Sequence, residues 1–269
     1  MRVAAVLSPH AEWPPIVEAA RAADRLGLDA IGFWDHYHSA RPEWAYVCGW
    51  SAYGALAAAT ERVRLVPMVL NALHYQPGVL AKESSILSHI SGGRFELALG
   101  AGDWPESFAA WGDPFPAAEA RIARLVETIR ILRGVWTGEP TSLDGSQFHL
   151  DGATCTPAPA VPPRVVVGAG ASRATMRATA PLVDELNVYA DPELVSAARR
   201  IGEESGRALS VSVHLAWDWG NWPAEPAPEL ERWARLGADR VHVSVGSDDM
   251  TRRMEVLAEA AGRVAAMPA

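Results

Sequence analysis

The sequence predicts an α/β protein, a single closed (β/α)8 TIM barrel over residues 1–269, from three observations. Short β-branched runs alternate with longer amphipathic stretches, eight such units follow one another, and together they fill a chain of 269 residues. Strands separated by helices pair in parallel, and eight units in about 250 residues is the size of a closed barrel. An open doubly wound sheet of eight strands satisfies the same periodicity, because a repeat does not show closure.

The units follow in order. A first strand at 3–7 (VAAVL) leads to helical spacing over 16–26, and a second at 30–34 (AIGFW) to the Ala-rich stretch 45–59. The third strand, 63–69, precedes a helix at 79–90, which Gly92 and Gly93 close with permissive backbone. A fourth strand at 95–99 (FELAL) is followed by a long amphipathic run at 118–136. The remaining strands are 164–167, 185–189, 211–216 and 240–245, with helices at 173–180, 192–205, 229–236 and 250–264. One connection breaks the pattern: 138–163 places Asp144-Gly145 between two β-prone pieces and then runs Pro-rich, which reads as a surface hairpin and a link. A closed barrel needs the strands on both sides of this link, so one domain is expected.

Composition narrows the partners. A hydrophobic share of 49% is ample for one core, while Lys+Arg 24 against Asp+Glu 32 gives a net charge of −8. No basic tract appears, which speaks against nucleic acid and anionic membrane. Pro9, His10 and Glu12 cut the N-terminal apolar run short of a secretory segment, and no stretch reaches the ~20 apolar residues of a membrane helix. Cys48 and Cys155 have no ligand spacing, so neither a disulfide framework nor a metal site is expected and a cytoplasmic location is natural.

In a barrel the chemistry gathers at the C-terminal strand ends. There the chain carries Asp35-His36-Tyr37-His38 after the second strand, Gly100-Ala101-Gly102-Asp103-Trp104 after the fourth, and Gly168 to Ser172 after the fifth. Glycines strip side chains from the second loop, which suits a ligand or a tight turn equally. The third loop runs into a helix, so it reads as a phosphate site or as a turn capped by Ser172. In the last two strands valines alternate with Ser212, His214, His242 and Ser244, placing the polar set toward the lumen as pocket wall or as satisfied core. Trp217, Trp219 and Trp222 in one loop suit a cover over a planar ligand or a lid folded on the barrel.

Taken together, IGFWDH at 31–36, ATERVRLVPMVLNALHYQPGVLAKESSILSHISGGRFELALGAG at 59–102 and VVVGAGASRA at 165–174 resemble the luciferase-like monooxygenase family. RIARLVETIRILRGVWTGEP at 121–140 and Asn187 extend the likeness over nearly the whole chain. That resemblance implies a (β/α)8 barrel using coenzyme F420 or FMN; Asp35-His36 and Gly-Ala-Gly-Asp are similar to the F420-dependent branch. It further implies that Asp35 bonds the polar edge of a planar ring and that Gly100, Ala101 and Gly102 approach it. Pro67, Met68 and Leu70 would shelve the ring at a bulge carrying a cis non-prolyl peptide near Pro67-Met68. The phosphate would rest on Gly168, Gly170, Ala171, Arg173 and Ala174, with Glu106 also on the cofactor and Arg173 or Arg177 toward an oligoglutamate tail. His36 would be the acid or base beside the hydride-bearing carbon, and Asp103 stands where the family's sugar-phosphate dehydrogenases carry a second, glutamate acid/base.

That branch grips its phosphate with lysines, and Lys82 is the one lysine in the chain, so a sugar phosphate is not expected. The function expected is hydride transfer between reduced F420 and a small organic substrate, by a homodimer, with a separate F420 or flavin reductase as a possible partner. An FMNH2-dependent two-component monooxygenase is the alternative within the family. From other classes come a metal-dependent barrel hydrolase using His36 and His38, whose further ligands have no counterpart at the fifth and sixth strand ends, and a non-catalytic barrel subunit.

Overall fold

The computed structural model describes residues 1–39, 46–217 and 222–267. Strand β1 (Arg2–Val6) enters α1 (Trp13–Leu26), which starts on Pro14-Pro15 and ends where Gly27 turns left-handed at φ 77. Its small buried face, Ile16, Ala19, Ala20 and Ala23, lets it lie close on the sheet. Next come β2 (Ala30–Gly32), α2 (Trp50–Ala59), the pair β3 (Arg64–Leu65) and β4 (Leu70–Asn71), α3 (Pro77–Ser91) and β5 (Leu97–Gly100). Then α4 (Pro105–Trp111) and α5 (Ala118–Val135) precede the hairpin β6 (Thr141–Asp144) and β7 (His149–Ala153). The chain ends with β8 (Val165–Gly170), α6 (Arg173–Thr179), β9 (Glu185–Tyr189), α7 (Pro192–Glu204), β10 (Ser210–Ala216), α8 (Pro226–Arg235), β11 (Arg240–Ser244) and α9 (Met250–Ala265).

All strands but the hairpin pair in parallel in the order β3-β2-β1-β11-β10-β9-β8-β5-β4. The ring closes because Leu65 of β3 also bridges to Phe95 at the foot of β5: Leu65 N–H donates to Arg94 O, and Glu96 N–H donates to Leu65 O. The expected third strand is therefore two short pieces with a bulge between them. Pro67 has no N–H for a ladder, and the cis peptide falls at Met68-Val69, one residue beyond the expected place. The expected helix 45–59 begins at Trp50, after Gly49 at φ 83, and Ala45 lies outside the described residues. Helix α4 was not legible as periodicity in seven residues.

The 138–163 connection is a hairpin and a Pro-rich link, and both are tied to the barrel. Glu127 of α5 accepts the amides of Ser146, Gln147 and Phe148, while Ser85 and Ser88 of α3 donate to Pro157 O and Val161 O. Lys82 Nζ donates to Thr156 O, so the one lysine holds this link.

The floor of the lumen is ionic. Arg240 is fully buried, its guanidinium 2.8 and 3.0 Å from Glu96, 2.8 Å from Asp29 and 3.5 Å from Glu185. Burial lowers the tendency of Arg240 to hold its proton, but the carboxylates around it outweigh that and hold it charged. Among the described residues no helix is long and apolar enough to cross a membrane.

Candidate active site

A cleft of about 470 Å³ opens at the C-terminal strand ends. Trp34, Asp35 and His36 come from the end of β2, Met68, Val69 and Asn71 from the bulge, and Gly100 to Asp103 from the loop after β5. Opposite stand Gly168 to Ser172 and Thr175, with Asn187, Tyr189 and His214 below and Ala118, Arg121 and Ile122 of α5 at the side. Three loops that lie far apart in sequence thus meet because parallel barrel strands all end on one face.

Close packing explains the glycines at the floor. A Cβ on Gly100 would stand 2.8 Å from Val69 Cγ2, and one on Gly168 would stand 2.9 Å from Val69 Cγ1. Their missing side chains make room for Val69, which lies on both strands as an apolar shelf. Met68 projects into the lumen, whereas Leu70, two residues on, packs outward in the helix–sheet core. Pro67 is buried, so neither Pro67 nor Leu70 lines the cleft.

Asp35 is 5% exposed, and its oxygens are already engaged: Asn71 N–H donates at 3.2 Å and Tyr75 Oη at 3.1 and 3.0 Å. Burial raises its pKa to about 6 against the pull of those bonds. His36 lies in a cluster of rings, with centroids 5.1 Å from Trp104, 5.2 Å from Tyr46 and 6.2 Å from Trp34. Burial lowers the pKa of His36 and the charge of Asp103 raises it, the burial effect being larger, so the ring is neutral at pH 7. His214 hydrogen-bonds Ser244 Oγ at 2.7 Å, and burial brings its pKa down to about 4.

The turn after β8 unites both readings of that stretch. Ser172 Oγ caps α6, accepting from Thr175 N at 3.2 Å, and the same turn forms a wall of the cleft. Arg173 and Ala174 point away, and Arg173 lines a shallow groove with Arg200 instead. Glu106 is exposed on α4 and lines neither cavity. The lumen alternation holds: His214 reaches the cleft, whereas His242 is buried 3.6 Å from Glu185. His38 contacts Trp104 at 6.1 Å, and among the described residues no group of three His, Cys, Asp or Glu side chains could hold a metal. In the three-tryptophan loop, residues 218–221 lie outside the described residues; Trp217 and Trp222 pack on each other at 5.5 Å and do not line the cleft.

Sequence reasoning missed Val69, Asn71 and the start of α5. No local signal marks a helix whose first turn folds over a pocket formed by distant strands.

Comparison with known proteins gives the family and the fold. F420-dependent glucose-6-phosphate dehydrogenase of Gordonia bronchialis is 28% identical over 265 residues, covering 90% of this chain and 76% of that protein. The enzyme of that name from Amycolatopsis mediterranei is 28% identical over 259 residues, covering 90% and 77%. Among solved structures, an F420-dependent secondary alcohol dehydrogenase with an F420-acetone adduct superposes with a TM-score of 0.86 at 17% identity, covering 98% of each chain. EDTA monooxygenase from Chelativorans sp. BNC1 gives 0.82 at 13%, covering 100% of this chain and 95% of that one. These structural likenesses speak to the fold. The model of the luciferase-like monooxygenases matches residues 1–259, and the chain belongs to that family.

Proposed function

We propose that the protein is an F420-dependent oxidoreductase acting on a small organic substrate. The observation that carries the reading is His36, held neutral among Trp34, Tyr46 and Trp104 on the wall of a cleft whose other side is the glycine turn 168–172. The donor set suits a flat ring with polar edges: Val69 and Met68 offer an apolar shelf, and Asn71, Asn187, Ser172 and His214 surround it with polar atoms. Bound F420 would supply hydride chemistry.

The chain's residues supply the rest. A neutral imidazole accepts the hydroxyl proton of a substrate being oxidised and returns it in the reverse direction. The rings around His36 half-bury it, and the nearby carboxylate of Asp103 favours the imidazolium formed on proton uptake. Although relatives are named for glucose 6-phosphate, the single lysine of this chain, Lys82, is held on the Pro-rich link away from the cleft, which favours a substrate without phosphate here. One barrel domain, a homodimer, a separate reductase and a cytoplasmic location belong to the same reading.

Titrating the protein with F420 and with FMN, followed by tryptophan quenching, tests it. Saturation by F420 at concentrations well below those needed for FMN is the expected result. Preference for reduced FMN would move the protein to the oxygen-using branch, and no binding of either would overturn the reading.

A further inference from the structure

Asp35 lines the cleft from a buried position, and behind it two phenols lead away from the cleft. Tyr75 Oη donates its one proton to the Asp35 carboxylate, so in the contact between Tyr37 Oη and Tyr75 Oη, 2.5 Å long, Tyr37 is the donor. Tyr37 is 41% exposed. Three oxygens therefore follow one another from the cleft wall to a partly exposed tyrosine, each within hydrogen-bond reach of the next and with Tyr37 also close enough to act on Asp35, and all protons point inward.

Once a ligand fills the cleft, the groups around Asp35 leave this as its route to solvent. Asn71 N–H occupies Oδ2, the Cys48 thiol donates to His36 O, and Tyr53 Oη is engaged with the backbone of Phe33. Among the described residues no lysine or arginine pairs with Asp35, so its charge has no fixed counterion.

We propose that Asp35, Tyr75 and Tyr37 form a proton relay between solvent and the molecule bound in the cleft. This rests on the oxidoreductase reading, because hydride chemistry leaves a proton to be delivered or removed. In the inward direction Asp35 gives its carboxyl proton to an acceptor in the cleft. Tyr75 O–H then passes its proton to Asp35, Tyr37 O–H passes its own to Tyr75, and a hydronium ion at the surface restores Tyr37. Four bonds to hydrogen break and four form, and no electrons move. The outward direction reverses each step, with Asp35–OH donating to Tyr75. Burial and the neighbouring Asp35 charge push both phenols well above their ordinary range, so they stay as O–H groups able to donate and accept. The same burial brings the Asp35 carboxyl to about 6, where both of its states are accessible near neutrality.

The test uses infrared spectroscopy. The C=O band of protonated Asp35, assigned by its loss in Asp35→Asn, is followed after a jump from pH 8 to pH 5, with and without bound F420 plugging the cleft. Tyr37→Phe keeps the ring and leaves the Tyr75–Asp35 bond in place, while Tyr75→Phe removes the middle oxygen. Both variants are expected to slow the appearance of the band at least tenfold in the F420-bound protein, with F420 affinity within twofold of the parent. Unchanged rates in both variants would overturn the relay. If the parent binds FMN and not F420, the F420 reading falls and the same jump with FMN in the cleft decides the relay; binding of neither would overturn the oxidoreductase reading and the relay with it.

Discussion

Val69 lies against Gly168 so closely that a Cβ on the glycine would stand 2.9 Å from Val69 Cγ1. Gly168→Ala is therefore expected to push the valine off its shelf, destabilising the protein by about 1–3 kcal/mol through overpacking and weakening F420 binding at least tenfold. Val69→Ala in the same chain should recover most of the stability. Urea denaturation of the two variants, with F420 titration, checks this; a Gly168→Ala protein with full affinity would show that the shelf does not shape the cleft.

Arg240 pairs with Glu96, Glu185 and Asp29, which Arg2, Arg64 and Arg164 also reach from the more exposed side, so Arg240→Met should cost about 3–5 kcal/mol at pH 7 by removing the fully buried cation among them. Burial works to raise the pKa of Glu185, but His242 at 3.6 Å and the Arg240 charge bring it down to about 2 from its ordinary 4.5. A depressed carboxyl contributes stability that is present above its unfolded pKa and lost as pH falls through the folded one. The parent should thus lose stability between about pH 5 and pH 2, and Glu185→Gln should flatten that slope in acid denaturation.

Asp35 has the opposite sign. Its carboxyl is brought from 3.8 to about 6 by burial, so the folded protein binds the proton more tightly than the unfolded chain and loses stability as pH rises from about 4 to above 6. That difference, at about 1.4 kcal/mol per pH unit, is about 3 kcal/mol. Asp35→Asn is expected to be more stable than the parent at pH 8 by up to that amount, and the gain should disappear at pH 4. Equal differences at the two pH values in urea melts would contradict the assignment.

His36 is lowered by burial and raised by Asp103. Asp103→Asn should lower its NMR titration midpoint further, and an unmoved midpoint would separate the two residues. With a substrate in hand, His36→Ala should slow the hydride step by about 10²–10⁴ in single-turnover mixing, leaving F420 affinity nearly intact.

A charge test of the glycine turn belongs at Ala171. Gly170 has φ 53 and a Cβ there would meet the Tyr189 ring at 3.0 Å, so Gly170→Asp would confound charge with strain. Ala171 is exposed in the cleft wall, and Ala171→Asp is expected to weaken F420 binding at least tenfold with an unchanged melting temperature.

The sequence by itself determined the eight-unit alternation, the helix end at Gly92, the hairpin around Asp144-Gly145 and the three loops that meet at one face. Each is written in local spacing or in a residue's backbone preference, which a short window carries. His36, Asp103, Gly100 and Gly168 were legible for that reason, since strand ends in a barrel share one side. Only the tertiary structure decided ring closure through Leu65 and Phe95, the break of the third strand at Met68-Val69, and the use of Gly100 and Gly168 to seat Val69. It also turned Arg173 away to a second groove and joined Asp35 to Tyr75 and Tyr37, contacts that span up to 40 residues. Such contacts depend on which surfaces the closed ring brings together, and no periodicity along the chain encodes that meeting.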